Sequence, residues 1–233
     1  MDVVTQKQDS LPCRCCGRAI ASTTVPVTIG GRSIALRPTV CAVCADAAEL
    51  RPSSAGRKSE WQRLCPPRYQ RDLPDEFLVR PWVNGVLRWR YGPEGLLVVG
   101  DTGTGKTWVM WWLLRRLLEE RHSVVTLDAV TYRSGLTTAA RQGDAADYAR
   151  RLVLVDVLYW DDFGQTHLSG AASEMLLHVI EQRTSRERPL LLTSQYSGYA
   201  LESQFERQQM GTAVRRRIND FCQIVKTCQG LAD

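Results

Sequence analysis

Eight consecutive residues near the middle of the chain have the types and spacing that bind phosphate. They follow the pattern G-x-x-x-x-G-K-[ST], in which the backbone N–H groups of a tight glycine-rich loop surround phosphate oxygens. The lysine of this pattern reaches the terminal phosphates, and the hydroxyl that follows it binds Mg²⁺. The sequence therefore predicts a nucleotide and magnesium site formed by Gly100, Asp101, Thr102, Gly103, Thr104, Gly105, Lys106 and Thr107.

Two adjacent carboxylates follow an apolar run and could complete this site. The run Val157-Leu158-Tyr159-Trp160 leads directly into Asp161 and Asp162. A carboxylate at a strand end suits Mg²⁺, so we expect Asp161 to hold the metal, directly or through water. We expect Asp162 to act as the general base that orients and activates the attacking water. The alternative is a strand that ends in a solvated turn.

A second apolar run, 190–192, ends in Thr193, Ser194 and Gln195. The carboxyl ends of parallel strands line one edge of a sheet, so one of these side chains could hydrogen-bond the γ-phosphate or its attacking water. A plain turn is the alternative.

Three consecutive arginines, Arg215-Arg216-Arg217, have two possible roles. They are either a solvated helix face or the source of an arginine that enters a neighbouring subunit's nucleotide site.

Four cysteines near the start of the chain have the spacing of a metal site. Cys13-x-x-Cys16 and Cys41-x-x-Cys44 flank two short apolar runs joined by Gly30-Gly31, a hairpin pattern. Two such pairs can close a tetrahedron of thiolates around a structural Zn²⁺, and a closed site of this kind does not catalyse. Cys15 could replace Cys13 or Cys16 as a ligand, although only the pair 13/16 has two-residue spacing.

Composition limits the class of protein. The 233 residues are 44% hydrophobic with a net charge of +5, which suits one globular core plus a small module and permits contact with DNA. Residues 1–11 lack the apolar segment of a signal peptide, and the longest apolar run, 108–114, is too short to span a bilayer. We therefore expect a cytoplasmic protein without a membrane segment, in which cysteines bind metal rather than form disulfides.

Strand and helix patterns alternate from residue 82 onward, which predicts an α/β fold with a parallel sheet covered on both faces. Strands are expected at 96–99, 124–127, 157–160, 190–193 and 222–226, and helices at 83–90, 106–121, 130–141, 147–153, 169–186 and 211–220. We predict a zinc-binding module at 1–50, a linker at 51–68 and a nucleotide-binding domain at 69–233.

These motifs together resemble the AAA+ ATPases of the bacterial helicase-loader and IstB-like family, of the DnaC and DnaI kind. The resemblance covers residues 61–233 and rests on GDTGTGKT at 100–107, VLYWDDFG at 157–164, RPLLLTSQYS at 188–197 and AVRRRI at 213–218. It implies a P-loop AAA+ core with a five-stranded parallel sheet that binds ATP. Because few residues follow the last expected strand, we expect no C-terminal lid.

The resemblance also assigns roles to single residues. Gln195 takes the position of the family's sensor asparagine and keeps its amide on a longer arm. Arg217 matches the arginine that acts in the neighbouring subunit, with Arg216 as the next best match. Asp162 stands where most AAA+ proteins have Glu, and the shorter side chain implies slow hydrolysis.

The resemblance implies an ATP-dependent loader that oligomerises with ATP at its subunit interfaces and delivers a replicative helicase. Single-stranded DNA would lie along Arg133, Arg141, Arg150 and Arg151. One alternative is an IstB-type transposition helper that binds duplex DNA and recruits a transposase; another is a regulator that uses ATP only as an assembly ligand. The cysteine module favours the loader, because transposition helpers usually begin with a helical region.

Overall fold

The computed structural model describes residues 11–12, 19–20, 25–29, 32–36, 57–168 and 170–227. The chain divides into two compact units, Met1–Leu50 and Arg51–Asp233. In the first unit, strands β1 (Leu11–Pro12) and β2 (Ala19–Ile20) pair antiparallel, as do β3 (Val25–Ile29) and β4 (Arg32–Leu36). The expected pairing of the two apolar runs is thus confirmed. The cysteines predicted to bind zinc lie outside the described residues; they are Cys13, Cys16, Cys41 and Cys44.

The second unit is built on a five-stranded sheet in which all neighbouring strands are parallel. Its strands are β5 (Gly95–Val99), β6 (Val124–Leu127), β7 (Val157–Trp160), β8 (Leu190–Ser194) and β9 (Cys222–Lys226). The spatial order is β6-β7-β8-β5-β9, so the strand before the P-loop lies between the last two strands of the chain. The predicted α/β fold with a five-stranded parallel sheet is confirmed.

Burial explains why the three central strands are apolar on both faces. Every residue of β5, β7 and β8 is buried, whereas the edge strands β6 and β9 are only partly covered. Parallel strands need helices on both faces of the sheet, so they are continuous runs of large apolar residues rather than alternating ones. The residues that directly follow β5, β7 and β8 are half-buried, so this edge of the core can carry polar groups.

Nine helices accompany the sheet within residues 57–168 and 170–227. No helix of the described chain is both long and apolar enough to cross a membrane. The helices are α1 (Arg57–Leu64), α2 (Asp75–Leu78), α3 (Pro81–Arg88), α4 (Lys106–Glu119), α5 (Ala129–Gln142), α6 (Ala145–Leu154), α7 (Gly170–Ser185), α8 (Gly198–Glu202) and α9 (Gln208–Phe221).

The second half of the segment predicted as a linker belongs to the folded body. Helix α1 is followed by a 3₁₀ turn, Pro67–Tyr69, and Trp61 packs edge-to-face on Trp111 of α4 with ring centroids 5.9 Å apart. Cys65 is also buried in the same apolar cluster. The burial of these large apolar side chains makes the second half of the predicted linker part of the core.

Candidate nucleotide-binding site

The P-loop connects β5 to α4 at the carboxyl edge of the sheet. Gly103 and Gly105 have φ angles of 84° and 92°, a left-handed conformation that favours glycine. Lys106 is buried, and its ammonium donates to the carbonyl oxygens of Gly100 at 2.7 Å and Asp101 at 2.8 Å. The lysine is therefore held against the loop it belongs to, at the start of the helix whose N-terminus attracts anions.

Two residues that the sequence did not single out support this loop from outside. The Phe77 ring lies against Gly105 so closely that any side chain at position 105 would overlap it. Arg80 donates from Nη1 to the carbonyl oxygen of Thr104 at 3.1 Å, and its guanidinium lies 4.4 Å from the centre of the Phe77 ring. No sequence motif marks these residues, because their role depends on the path of the chain between α2 and α3.

Three hydroxyl groups converge on one oxygen of Asp161. Thr193 donates to Asp161 Oδ1 at 2.5 Å, Tyr159 at 2.6 Å and Thr107 at 3.0 Å. The structure therefore brings the P-loop hydroxyl and the predicted metal-binding carboxylate together, although 54 positions separate them in the chain. Tyr159 was missed as a polar group, yet strand alternation places it on the same side of the sheet as Asp161.

Asp162 has a backbone conformation that few residues other than glycine adopt. It adopts a positive φ of 53°, and its backbone N–H donates to the Thr193 hydroxyl at 2.8 Å. Burial raises the pKa of the Asp162 carboxyl, as do the charges of Asp161 and Asp128, while Lys106 opposes the shift. A carboxylate with a raised pKa accepts a proton more readily, which is the property of a general base.

The pKa of Tyr159 is also displaced, with a different consequence. Complete burial raises the pKa of this hydroxyl well above its usual value, and the nearby Asp161 carboxylate raises it further. Tyr159 therefore stays protonated at neutral pH and serves Asp161 as a hydrogen-bond donor.

At the end of β8 the three polar residues differ in what they contact. Thr193 joins Asp161 to Asp162, as described above. Ser194 is buried and donates from its hydroxyl to the carbonyl oxygen of Phe163 at 2.6 Å, so it holds the chain beyond Asp162. Gln195 follows the strand directly and is half-buried. Since Val99 pairs with Ser194, Gln195 lies level with the start of the P-loop.

The three consecutive arginines of α9 lie in three different environments. Arg215 donates to Glu202 Oε2 at 2.6 Å and stacks over the Tyr199 ring. Arg216 is 77% exposed. Arg217 pairs with Glu181 at 3.3 Å and lines a small cavity with Gly95, Leu190 and Cys222, the first residues of three strands. Arg217 is therefore at the amino edge of the sheet, away from the P-loop of its own chain.

The donor set at the carboxyl edge suits Mg²⁺. Thr107 and Asp161 supply hydroxyl and carboxylate oxygens, which this ion prefers, and it usually completes its shell with water and nucleotide phosphates. Across the described parts of the chain, no group of three or more His, Cys, Asp or Glu side chains is arranged to hold a metal ion. Thr107 and Asp161 therefore suit a metal ion that binds together with a nucleotide.

Residues 85–230 match the family described as IstB-like ATP binding protein. The chain belongs to this family. The match covers more than half of the chain, including the P-loop, both acidic residues after β7 and helix α9. The resemblance inferred from the motifs is confirmed, and so is the binding of ATP as a property of the family.

Two relatives come from insertion sequences. An insertion sequence ATP-binding protein of Sinorhizobium fredii is 30% identical over 134 residues, which cover 58% of this chain and 51% of the relative. The ATP-binding protein of insertion sequence IS1162 from Pseudomonas fluorescens is 33% identical over 121 residues, or 52% and 51% of the two chains. The aligned part of this chain spans about half the length of these relatives.

Among solved structures, the DnaC helicase loader superposes with a TM-score of 0.56 at 19% identity, covering 69% of this chain and 99% of that one. The DnaI structure gives the same TM-score at 18% identity and covers 70% and 94%. Similarity at this level of identity shows the shared AAA+ fold.

Proposed function

We propose that this IstB-like protein is an ATPase whose nucleotide state controls its assembly on DNA. The observation that carries the proposal is the convergence of the P-loop hydroxyl of Thr107, the carboxylate of Asp161 and the strand-end hydroxyl of Thr193 on one oxygen. A loop that only turned the chain would not need a buried lysine beside such a cluster. ATP and Mg²⁺ are the proposed ligands.

Each residue of the proposed site has a distinct role. Lys106 would leave the carbonyl oxygens of Gly100 and Asp101 and bind the terminal phosphates. Thr107 and Asp161 would hold Mg²⁺, which neutralises charge on the phosphates when bound. Asp162 would accept a proton from the attacking water, and its raised pKa supports that role. Gln195, level with the P-loop, would orient the γ-phosphate or the water.

The first experiment measures ATP binding by Lys106→Ala. The substitution removes the charge that would bind the phosphates, so we expect ATP affinity to fall at least about 100-fold, since charged hydrogen bonds each contribute roughly 1.5–3 kcal/mol and this lysine would make more than one. Arg186→Ala is the matched control, because it removes an exposed positive charge just after α7. Retained ATP affinity in Lys106→Ala would overturn the proposal.

A second experiment tests whether Arg217 acts in the neighbouring subunit. Because Arg217 is at the amino edge of its own sheet, it would have to act in trans. Lys106→Ala should keep Arg217 but fail to bind ATP. Arg217→Ala should bind ATP but lack the arginine. We expect each variant alone to be inactive and their mixture to recover hydrolysis at mixed interfaces. The same mixture made with Arg216→Ala tests the second-best arginine, and no recovery in either would refute the trans role.

For DNA, we propose a path along exposed arginines of α5 and α6. Arg133, Arg141 and Arg151 are exposed on these consecutive helices, as is Arg150. If they contact phosphates of single-stranded DNA, each lost contact should reduce the slope of log affinity against log salt by about 0.7. Replacing Arg133 and Arg141 together should lower the slope by about 1.4 and leave ATP binding unchanged; an unchanged slope would exclude this path.

For the partner, we propose a replicative helicase, because the paired cysteines that precede the ATPase suit a docking module. A transposase is the second candidate, and the observation that favours it is that the sequence relatives are insertion sequence proteins. Purified helicase and purified transposase of the source organism, each tested for ATP-dependent co-elution with the full chain, separate the two. Co-elution with the transposase alone would refute helicase loading.

We propose that the four cysteines of the first unit hold a structural zinc ion. The β3–β4 hairpin lies between the two Cys-x-x-Cys pairs, as in other modules that bind zinc in this way. A chelator should release about one zinc per chain and reduce proteolytic resistance within residues 13–44, while ATP binding persists. Cys15→Ser should retain the metal and Cys16→Ser should lose it; the reverse would assign Cys15 as the ligand.

A further inference from the structure

We propose that Tyr159, together with Thr193, is a positioning residue for the magnesium end of the site. The inference rests on the proposed function, because it concerns the carboxylate assigned there to Mg²⁺. Tyr159 is completely buried in β7 and donates to Asp161 Oδ1 at 2.6 Å, two positions further along the chain. Within an apolar strand, tyrosine packs no better than phenylalanine. We therefore attribute the presence of the hydroxyl to its hydrogen bond with Asp161.

The hydrogen bonds around Asp161 have one consistent direction. The backbone N–H of Asp162 donates to the Thr193 hydroxyl, and that hydroxyl therefore uses its own proton to donate to Asp161 Oδ1 at 2.5 Å. Tyr159 donates to the same oxygen from inside the core. Since a carboxylate oxygen has two lone pairs, these two short bonds occupy both of them.

The bond from Thr107 is then the one that can exchange. At 3.0 Å it is the longest of the three, and it reaches an oxygen whose lone pairs are already used. Thr107 can therefore turn its hydroxyl towards a metal while Asp161 stays in place. Among the described residues, none donates a hydrogen bond to Asp161 Oδ2, so this second oxygen is the one available to a metal ion or its bound water.

The Tyr159 ring also connects the two halves of the site. It packs edge-to-face on Trp111, with centroids 6.0 Å apart, and Trp111 belongs to the helix that begins with Lys106 and Thr107. One side chain thus contacts both the acidic strand and the P-loop helix. Partners of this kind, which orient a metal ligand from behind, typically change metal affinity about 10- to 100-fold when removed.

The test is the magnesium dependence of binding of a non-hydrolysable ATP analogue, measured by titration calorimetry on the full chain. In Tyr159→Phe we expect the Mg²⁺ concentration for half-maximal tightening to rise about 10-fold, while analogue affinity without Mg²⁺ stays as in the wild type. Tyr132→Phe is the matched control. It removes another fully buried tyrosine hydroxyl, one that donates to the carbonyl oxygen of Ala172 at 2.9 Å, and should leave magnesium dependence unchanged.

Thr193 supplies a second pair of variants if Tyr159→Phe folds poorly. Thr193→Val removes the other short donor and should shift magnesium dependence in the same direction, whereas Thr193→Ser keeps the hydroxyl and should restore it. An unchanged magnesium dependence in Tyr159→Phe or Thr193→Val, or a loss of analogue affinity without Mg²⁺, would overturn the inference. If the wild type itself shows no magnesium-dependent binding, the proposed function fails first.

Discussion

Buried polar groups make different kinds of hydrogen bonds at the two edges of the parallel sheet. At the amino edge, Arg183 is completely buried and donates from its two terminal nitrogens to five backbone carbonyl oxygens, those of Leu152, Val153, Val155, Asp156 and Pro189. At the carboxyl edge, Asp161, Thr193 and Tyr159 bond to one another, and Lys106 donates to carbonyl oxygens of its own loop. The first arrangement joins fixed chain segments; the second can be rearranged by a ligand.

The amino edge is stabilised as a closed network. Asp156 accepts from the backbone and hydroxyl of Ser123, both at 3.0 Å, and pairs with Arg188 at 3.3 Å. Burial and the neighbouring Arg188 lower the pKa of Arg183 to about 9, which still leaves the guanidinium charged at neutral pH. These groups hold the end of α6 and the starts of β7 and β8 together, so we assign them to stability.

At the carboxyl edge, Asp162 combines a strained backbone with a carboxylate that has no side-chain donor among the described residues. Asp162 has a positive φ and a raised pKa, and none of the described side chains donates a hydrogen bond to its carboxylate. Residues held in such conformations gather where a site is organised for function. Buried polarity alone therefore does not identify a site; a site has groups whose partners can change.

The largest expected effect is at the amino edge. Arg183→Met leaves five buried carbonyl oxygens without their donor, so the free energy of unfolding should fall by at least about 3 kcal/mol. Urea denaturation measures it, with the exposed Arg186→Met as a control that should change stability by less than about 0.5 kcal/mol. A loss below about 1 kcal/mol for Arg183→Met would mean that water replaces the guanidinium, and the contrast between the edges would fail.

At the carboxyl edge, Asp162→Asn should reduce activity and leave stability almost unchanged. Asparagine tolerates the positive φ, so the free energy of unfolding should hardly change. It cannot accept the proton, so we expect turnover to fall about 100-fold while ATP affinity is retained. Steady-state hydrolysis and ATP titration measure the two quantities. Wild-type turnover in this variant would remove Asp162 from the proposed mechanism.

Glu181→Gln tests whether Arg217 is held less firmly than Arg183, which lies at the same edge of the sheet. Arg217 and Glu181 are about 40% exposed, at 39% and 43%, so their ion pair should contribute less than about 1 kcal/mol, unlike the contacts of Arg183. We expect the stability and hydrolysis of Glu181→Gln to stay close to the wild type. A large loss of stability would show that Arg217 is held as firmly as Arg183 and is not available to a neighbouring subunit.

The smallest expected effect concerns pH. Asp128 is one of the charges that raise the pKa of Asp162, so Asp128→Asn should move the acid limb of kcat/KM to lower pH, by less than about one unit. The asparagine keeps the cap of α5, where Asp128 accepts from the Thr131 backbone at 2.7 Å. A shift to higher pH, or none, would mean that Asp162 does not set this limb.

Local patterns were sufficient for most of the fold. The strands expected at 96–99, 157–160 and 222–226 differ from the observed β5, β7 and β9 by at most one residue. Periodicity of apolar residues sets these elements, and it is a local property of the chain. Helix α8, of five residues, was not predicted, because such a short segment carries too few periods to recognise.

By itself, the sequence determined the P-loop, the acidic strand end and the family, because each is a short run of residues with a characteristic spacing. Only the tertiary structure decided that Tyr159, Thr193 and Thr107 share one oxygen of Asp161, and that Arg217 lies at the opposite edge. The physical reason is strand order: β7 pairs with β8, which places Thr193 beside Asp161, and β5 inserts between β8 and β9, which places Thr107 close to the same carboxylate. No local pattern encodes that insertion.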